Sequence, residues 1–392
     1  MNCNYKDMVE LVNPGISSLV QLKDGSLLSN NGRISRDKGL TWSKPKPLSN
    51  HINGDGLVSL QSGAIALTDI SNNVCFSYDD GNTWTTPLNV LGHGAEIISK
   101  ITIVDSLYDE MIQLNSGRLI RILCMNFTSN HPELKYEDVI AYGNYKGQRY
   151  DIEGHGHLPE FYLVFTVYSD DEGKTWNISK GPCGAGHLMG WFDEEGLPNG
   201  RSGLTAFGET TAAETSDGRV LLFSRSQVNR VVHSYSCDSG ETWSAVLPTG
   251  LANSQSPPRL RRIPSTGDLI CVWNQVSRSE VQRGYRRGRL SAAISKDNGS
   301  TWQNFKTLEQ CAGMDDIECI LPEYPIREVR SREYVGQLPE GFNYYHYPNI
   351  CFAYDKVYIM YTRSDHLQGI AEQNLYKQEN VLRIYPLEWF YK

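Results

Sequence analysis

An eight-residue motif occurs five times in this chain of 392 residues, and no other feature constrains the fold as strongly. The motif is Ser-x-Asp-x-Gly-x-Thr-Trp, at residues 35–42, 77–84, 169–176, 236–243 and 295–302. Its Asp can accept hydrogen bonds from backbone amides, its Gly permits a turn with positive φ, and its Trp can pack under neighbouring strands. Each copy therefore predicts a turn that precedes a strand, and the chain is predicted to be an array of similar units.

A second repeat, of short apolar hairpins, accompanies the first. Six segments place apolar or β-branched residues on both sides of a tight turn, at 17–29, 56–68, 110–122, 211–223, 258–273 and 349–362. Six hairpins and five turn motifs predict six four-stranded units. The last unit has no turn motif, and we expect Val9 to Val12, at the start of the chain, to supply its outer strand.

The turn motif resembles the Asp-box of the sialidase-type β-propellers. The resemblance implies an all-β, six-bladed β-propeller in which residues 1–392 form a single domain and the Asp-box turns lie on the face away from the active site. It also implies that the repeated aspartates are structural: Asp37, Asp79, Asp171, Asp238 and Asp297. The longest interval between boxes holds an insertion at about 126–159 in blade three, which we expect on the binding-site face.

Composition excludes several classes of function. A net charge of −8 argues against nucleic-acid binding, and no run of 18 apolar residues predicts a membrane span. The nine cysteines form no Cys-x-x-Cys pair, and the polar N-terminus has no signal-peptide core, so a cytoplasmic location is expected. No cofactor is expected, and the oligomeric state is left open.

The resemblance extends to residues that carry the family's chemistry. Blade four begins with Gly208-Glu209, where the family has Asn-Glu, and Arg225 ends its second strand at the family's spacing. In blade five, Arg287 matches a carboxylate-binding arginine. In blade six, Tyr347 best matches the family's nucleophilic tyrosine, with Tyr345 as the alternative in the same tyrosine-rich run.

This set of residues suits a sugar that carries a carboxylate on its anomeric carbon. A carboxylate nucleophile would be repelled by such a substrate, whereas a neutral tyrosine would not, and sialidases are known to depart from the two-carboxylate rule in this way. Tyrosine has an ordinary pKa near ~10, so it needs a base partner, and Glu209 is expected to be that base. Arginines offer planar, bidentate donors to the substrate carboxylate.

Two elements of the family's site are absent from the sequence. Gly15 stands where the family has the first arginine of a triad, and the loop at 30–33, where the family's acidic Asp is expected, contains no carboxylate. Arg363, at the end of the second strand of blade six, is a candidate for the lost arginine, and His346 lies beside the proposed nucleophile. The candidates for the lost acid are Asp55, Asp69, His155 and His157. Two histidines one residue apart are too few to predict a metal site.

The sequence therefore favours a sialidase-like glycoside hydrolase that acts on sialic acid or a related acidic sugar, with Tyr347 and Glu209 as the catalytic pair and Asp55 as the acid. The predicted carbohydrate-binding residues are Arg225, Arg287, Arg363, Tyr345, His346, His155 and His157. Two alternatives stay open because of the missing arginine and acid. One is a polysaccharide lyase for uronate-containing glycans, and the other is a carbohydrate-binding propeller without activity.

Overall fold

Small antiparallel sheets of consecutive strands make up the structure. The computed structural model describes residues 8–50, 52–91, 103–105, 111–126, 141–145, 148–152, 160–181, 183–192, 198–202, 208–226, 229–254, 256–283, 285–316, 339, 341–365 and 377–392. Within these ranges the sheets form the six blades of a propeller, as predicted from the repeats. One short α-helix, α1 (Arg278–Gln282), and one 3-10 helix (Leu387–Tyr391) are the helices of the described residues.

The first three blades are formed in chain order. Blade one has three strands, not the predicted four: β2 (Leu19–Gln21), β3 (Leu27–Ser29) and β4 (Ile34–Ser35). Blade two consists of β5 (Gly56–Ser59), β6 (Ile65–Thr68), β7 (Asn73–Ser77) and β8 (Leu88–Asn89). Blade three is the largest sheet, with β9 (Ile103–Asp105), β10 (Met111–Gln113), β11 (Leu119–Asn126), β14 (Glu160–Ser169), β15 (Asn177–Ile178), β16 (Gly184–Phe192) and β17 (Pro198–Ser202).

The predicted insertion lies between the second and third strands of blade three, between β11 and β14. Its described part is a hairpin of two strands, β12 (Ala141–Tyr145) and β13 (Gln148–Ile152). The two histidines that the sequence analysis singled out in the insertion, His155 and His157, lie outside the described residues.

Blades four to six complete the ring. Blade four contains β18 (Thr210–Glu214), β19 (Val220–Ser224), β20 (Arg230–Ser236) and β21 (Leu247–Ala252). Blade five contains β22 (Arg259–Arg262), β23 (Leu269–Trp273), β24 (Arg289–Ser295) and β25 (Gln303–Gln310). Blade six contains β26 (Asn343–Ala353), β27 (Lys356–Asp365), β28 (Lys377–Pro386) and β1 (Val9–Val12).

The N-terminal strand closes the ring, as the sequence predicted. Strand β1 pairs antiparallel with β28, with Val9 opposite Ile384 and Val12 opposite Val381. Glu10 in the middle of β1 also pairs with Arg383, across the sheet, and with Arg363. The first and last segments of the chain are therefore held in one blade.

Each gap between neighbouring blades is filled by one apolar cluster, and there are six such clusters in the described residues. The clusters arise because the short strands alternate their side chains between the two faces of a blade. In blade one, Leu19 and Leu27 pack against blade six, whereas Val20 and Leu28 pack against blade two. Every blade thus buries both faces.

The five Asp-boxes have the same internal geometry. In the first box, Asp37 accepts hydrogen bonds from the Thr41 amide at 2.9 Å and the Thr41 hydroxyl at 2.5 Å, while Ser35 accepts from the Gly39 amide at 2.8 Å. The other four boxes repeat these contacts. The box tryptophans pack into five of the six gaps: Trp42, Trp84, Trp176, Trp243 and Trp302. These aspartates hold turns together.

The 3-10 helix at the C-terminus fills the remaining gap, between blades five and six, which has no box tryptophan. Phe390 is fully buried in this gap, and Trp389 packs against the same cluster. Tyr391 fixes the helix to blade five because its hydroxyl donates to Asp268 at 2.7 Å. This segment was not predicted from the sequence.

Antiparallel strand order separates the boxes from the other end of each blade. In blade four, Ser224 at one end of β19 lies opposite Thr210 of β18. Val220 at the other end of β19 lies opposite Ser236 of β20, which begins the box. The end of blade four away from its box therefore holds Glu209, which precedes β18, and Arg225, which follows β19.

Among the helices that the structure describes, none has the length and apolar character of a membrane span.

Candidate active site

Glu209 and Tyr347 meet across the propeller. The Tyr347 hydroxyl donates to Glu209 Oε1 at 2.9 Å, although the two residues come from blades four and six. Glu209 precedes β18 and is 9% exposed, whereas Tyr347 lies within β26 and is 47% exposed. The carboxylate is thus buried beneath a phenol that a ligand can reach.

Arg225 binds the other oxygen of the same carboxylate. Its Nη1 lies 2.7 Å from Glu209 Oε2, and its amide donates to the Glu209 carbonyl at 3.2 Å. Both contacts follow from antiparallel pairing, because β18 and β19 place Glu209 and Arg225 side by side at one end of blade four. Each carboxylate oxygen of Glu209 therefore has its own donor.

These contacts set the protonation states of the pair. Burial alone would raise the pKa of Glu209, but the positive charges of Arg225 and Arg287 and the hydrogen bonds from Arg225 and Tyr347 hold it below its usual range. Burial and the neighbouring Glu209 carboxylate raise the pKa of Tyr347 above its usual value. At neutral pH the pair is consequently a carboxylate that accepts a hydrogen bond from a neutral phenol.

Arg287 completes a compact group around the phenol. Its guanidinium carbon lies 5.7 Å from the centre of the Tyr347 ring, and its Nη1 lies 2.7 Å from His346 Nδ1. A guanidinium can only donate, so Nδ1 of His346 accepts and the ring proton is assigned to Nε2. The His346 ring stacks on that of Tyr347, with 6.2 Å between ring centres. Tyr347, Glu209, Arg225, Arg287 and His346 therefore lie together.

Tyr345, the alternative nucleophile and a predicted carbohydrate ligand, does not join this group. It is 4% exposed and packs in the gap between blades five and six, with its ring 6.1 Å from that of Tyr361. In a regular strand, Tyr345 and Tyr347 would face the same side. The register of β26 shifts between His346 and Asn349, and Tyr347 has a φ of +50°, so this β-bulge turns Tyr347 away from the core.

Arg363, the predicted substitute for the missing arginine, lies in an ion-pair network of blade six. Its Nη2 is 2.7 Å from Glu379, which faces it on β28, and its Nη1 is 3.3 Å from Glu10. The structure therefore uses Arg363 to hold the N-terminal strand.

The proposed acids of blade two lie near the pocket end of that blade but have different surroundings. Asp55 is exposed, immediately before β5, and its Oδ2 accepts from the Ile70 amide at 3.2 Å. Asp69 is 8% exposed, and its carboxylate binds the Asn73 amide at 2.9 Å and the Asn73 side chain at 3.0 Å. Asp69 thus closes a turn, whereas Asp55 stays a candidate acid.

The two departures from the family pattern in blade one are also visible. Gly15 has a φ of +67°, and its carbonyl accepts from the Asn31 side chain. The segment between β3 and β4 is a tight turn in which the Gly32 amide donates to the Ser29 carbonyl at 2.9 Å. Neither position brings an arginine or a carboxylate to the site.

One buried arginine near the site was missed in the sequence. Arg259, on the first strand of blade five, is 5% exposed, and its Nε donates to the Pro348 carbonyl at 3.1 Å. The hairpin 258–273 also contains Arg261 and Arg262, so the sequence pattern alone does not distinguish Arg259. In the described part of the chain, no cluster of three or more His, Cys, Asp or Glu side chains is arranged to hold a metal ion.

Comparison with solved structures agrees with the fold. A protein of unknown function from Dyadobacter fermentans is 15% identical, with 94% of this chain and 93% of that chain covered and a TM-score of 0.50. The Trypanosoma rangeli sialidase is 13% identical, with 98% of this chain and 60% of that chain covered and a TM-score of 0.40. The NanB sialidase of Streptococcus pneumoniae is 11% identical, with 84% and 67% covered and a TM-score of 0.36. The Dyadobacter fermentans protein, with its TM-score of 0.50, shares the fold of this chain.

Sequence comparison identifies the family. No curated protein matches the chain significantly. The model of the BNR repeat-like domain matches residues 63–359, which include four of the five Asp-boxes and the described residues of the Glu209 group. The match covers more than half of the chain, so this protein belongs to the BNR repeat-like family.

Proposed function

We propose that this protein is a sialidase-like glycoside hydrolase that acts on sialic acid or a related acidic sugar. The observation that carries the proposal is the hydrogen bond of 2.9 Å from the Tyr347 hydroxyl to Glu209, whose other oxygen is held by Arg225 at 2.7 Å. A phenol that is reachable by ligand and bonded to a buried carboxylate is the arrangement that a tyrosine nucleophile with a base requires.

The reaction proceeds in two steps in this proposal. The Tyr347 oxygen attacks the anomeric carbon and its proton passes to Glu209, while the bond from that carbon to the leaving oxygen breaks. The leaving oxygen takes a proton from Asp55 or from water. In the second step water attacks the anomeric carbon, the bond from that carbon to the Tyr347 oxygen breaks, and Glu209 returns its proton to that oxygen. The proton that the water loses restores the group that protonated the leaving oxygen, Asp55 or solvent water.

The substrate carboxylate is assigned to the arginines. Arg225 lies 2.7 Å from the carboxylate that Tyr347 contacts, and the Arg287 guanidinium lies 5.7 Å from the centre of the Tyr347 ring, so both cations are beside the phenol. A neutral phenol in that spot does not repel an anionic sugar, whereas a carboxylate nucleophile would. This pairing of a neutral nucleophile with two cations supports an acidic sugar as the substrate.

A lyase acting on uronate-containing polysaccharide is the second candidate. The tight turn after β3 has no carboxylate to serve as acid, and the arrangement of Arg287, His346 and Tyr347 also suits removal of a proton beside a carboxylate. A lyase would produce an unsaturated uronate without consuming water. A glycosidase would release a saturated sugar.

The test is a panel of fluorogenic glycosides that includes an α-sialoside, a β-glucuronide and neutral sugars, run beside uronate polysaccharides monitored for unsaturated product. Tyr347→Phe should abolish turnover and leave ligand binding within about threefold. Tyr78→Phe is the matched control, because Tyr78 is 57% exposed in the second Asp-box, on the opposite face. Turnover of neutral glycosides alone, or full activity in Tyr347→Phe, would refute the proposal.

A further inference from the structure

Two residues of the site have strained backbones. Tyr347 has a φ of +50° and Arg287 a φ of +55°, in the left-handed region that side chains other than Gly, Asn and Asp seldom adopt. Tyr347 also precedes Pro348, and a following proline restricts the backbone further. Such conformations cost roughly 1–3 kcal/mol each and persist only where the surroundings enforce them.

Blades five and six meet directly beneath these two residues. The Arg287 amide donates to the Ser254 hydroxyl at 3.0 Å, and the Arg287 carbonyl accepts from the Tyr345 amide at 3.0 Å. The side chain of Asn274 donates to the Tyr345 carbonyl at 3.1 Å and to the Arg289 carbonyl at 2.8 Å. The backbone on both sides of the site is therefore fixed by contacts between the two blades.

The bulge itself is held at Pro348. Proline has no amide hydrogen, so its carbonyl is the one backbone group through which hydrogen bonding can hold it. Arg259 reaches this carbonyl from the first strand of blade five, with Nε at 3.1 Å, and the arginine is 5% exposed. A buried hydrogen bond from a charged donor is stronger than a hydrogen bond from a neutral amide.

We propose that Arg259 is a positioning residue: it fixes the Tyr347–Pro348 bulge so that the phenol is aimed at Glu209. The role of Tyr347 as nucleophile rests on the proposed function, but the aiming itself does not. Without this contact, Tyr347 is expected to relax to negative φ, which turns its side chain toward the direction that Tyr345 takes and separates the phenol from Glu209.

The test compares Arg259→Lys with Arg262→Lys in the full chain. Lysine keeps the positive charge but loses the planar Nε donor. Arg262 is the matched control because it lies on the same strand and pairs instead with Glu214 of blade four at 3.8 Å. Two readouts are used: kcat and KM for the acidic glycoside, and the pKa of 3-fluorotyrosine placed at position 347, read by fluorine NMR.

In the wild-type chain the pKa of the fluorotyrosine should be higher than that of a fluorotyrosine in a peptide, because Glu209 and burial oppose ionisation. Arg259→Lys should move this pKa toward that of the peptide and lower kcat by about tenfold or more with KM within about threefold. Arg262→Lys should change neither. A merely structural role for Arg259 would lower thermal stability without moving the fluorotyrosine pKa.

The outcomes separate the two proposals. Wild-type kcat and wild-type fluorotyrosine pKa in Arg259→Lys would overturn the role of Arg259 while the glycosidase proposal stands. If the wild type turns over none of the glycosides, the function fails and the fluorotyrosine pKa alone decides the role of Arg259. If Arg259→Lys does not fold, Arg259→Gln takes its place. If neither folds, a crystal structure of the wild-type chain with Tyr347 at negative φ, or with Arg259 away from Pro348, would overturn it.

Discussion

Replacing Glu209 by glutamine tests the pair at the centre of the site with the smallest change of shape. In the wild type, Glu209 accepts from Tyr347 at 2.9 Å and from Arg225 at 2.7 Å, so it is an acceptor on both sides. Glutamine has one acceptor and one donor end. Because Arg225 can only donate, the oxygen of glutamine must face Arg225, and its NH₂ group must face Tyr347.

The hydrogen bond between positions 209 and 347 therefore reverses direction in Glu209→Gln. The phenol accepts instead of donating, and each hydrogen bond of position 209 keeps a partner, but Arg225 loses its counter-charge, so the variant should fold with reduced stability. The nucleophile, however, loses the base that takes its proton. The only reactive form of Tyr347 is then the phenolate that forms when the phenol loses its proton to solvent.

A tyrosine with the ordinary pKa of about 10 is ionised in roughly one molecule in a thousand at pH 7, and this fraction sets the scale for a nucleophile that has no base. The expected loss of kcat is therefore about a thousandfold, or about 4 kcal/mol, within the range of a hundred- to ten-thousand-fold that general-base catalysis contributes. The rate of the variant should also rise by about tenfold per pH unit between about pH 7 and 10 as the phenolate forms.

Measurement of kcat against pH for the wild type, Glu209→Gln and the double variant with Tyr347→Phe checks the reasoning, with circular dichroism as the folding control. The double variant should be no slower than Tyr347→Phe alone, because the two residues act as a unit. A Glu209→Gln enzyme within about threefold of wild type at pH 7, or one whose rate does not rise with pH, would refute the assignment of Glu209 as the base.

Three further results are expected. The pKa of Glu209 is held below its usual value of 4.5, so kcat of the wild type should persist at pH 4.5 and fall only as the pH drops further and Glu209 is protonated, as a pH–rate profile will show; a fall centred well above pH 4.5 would contradict this. Phe390→Ala, in the cluster between blades five and six, should lower the free energy of unfolding by about 3–5 kcal/mol in urea titrations, because Phe390 is fully buried. Asp297→Ala should lower the melting temperature and leave kcat unchanged, because the Asp297 carboxylate binds Ser295 and Thr301 within the fifth box; a selective loss of kcat would give the boxes a role in the site.

The number and order of the blades could be predicted because each blade is encoded locally. An Asp-box needs only eight neighbouring residues to make its hydrogen bonds, and each hairpin needs one tight turn. The pairing of Val9–Val12 with the last blade followed from counting strands. The 3-10 helix could not be found in this way, because Phe390 and Trp389 substitute for a box tryptophan with an unrelated sequence.

The site was predictable where it depends on strand ends and not where it depends on irregular backbone. Glu209 and Arg225 flank a regular hairpin, so their spacing places them together. Side-chain alternation assigns Tyr345 and Tyr347 to the same face, and only the bulge with positive φ separates them. The contact of Arg259 with that bulge joins residues 89 positions apart, which no local pattern encodes.

The closure of the ring by β1 has a consequence for how the chain is made. Val9 is synthesised 375 residues before its partner Ile384. At about 5–20 residues per second, synthesis of the residues between them takes on the order of 20–75 seconds, and blades can fold as they emerge. Blade six cannot be completed until β28 leaves the ribosome. Until then the apolar faces of blade one and the unpaired edge of β1 are open to other chains, so this interval is when the protein is most exposed to aggregation.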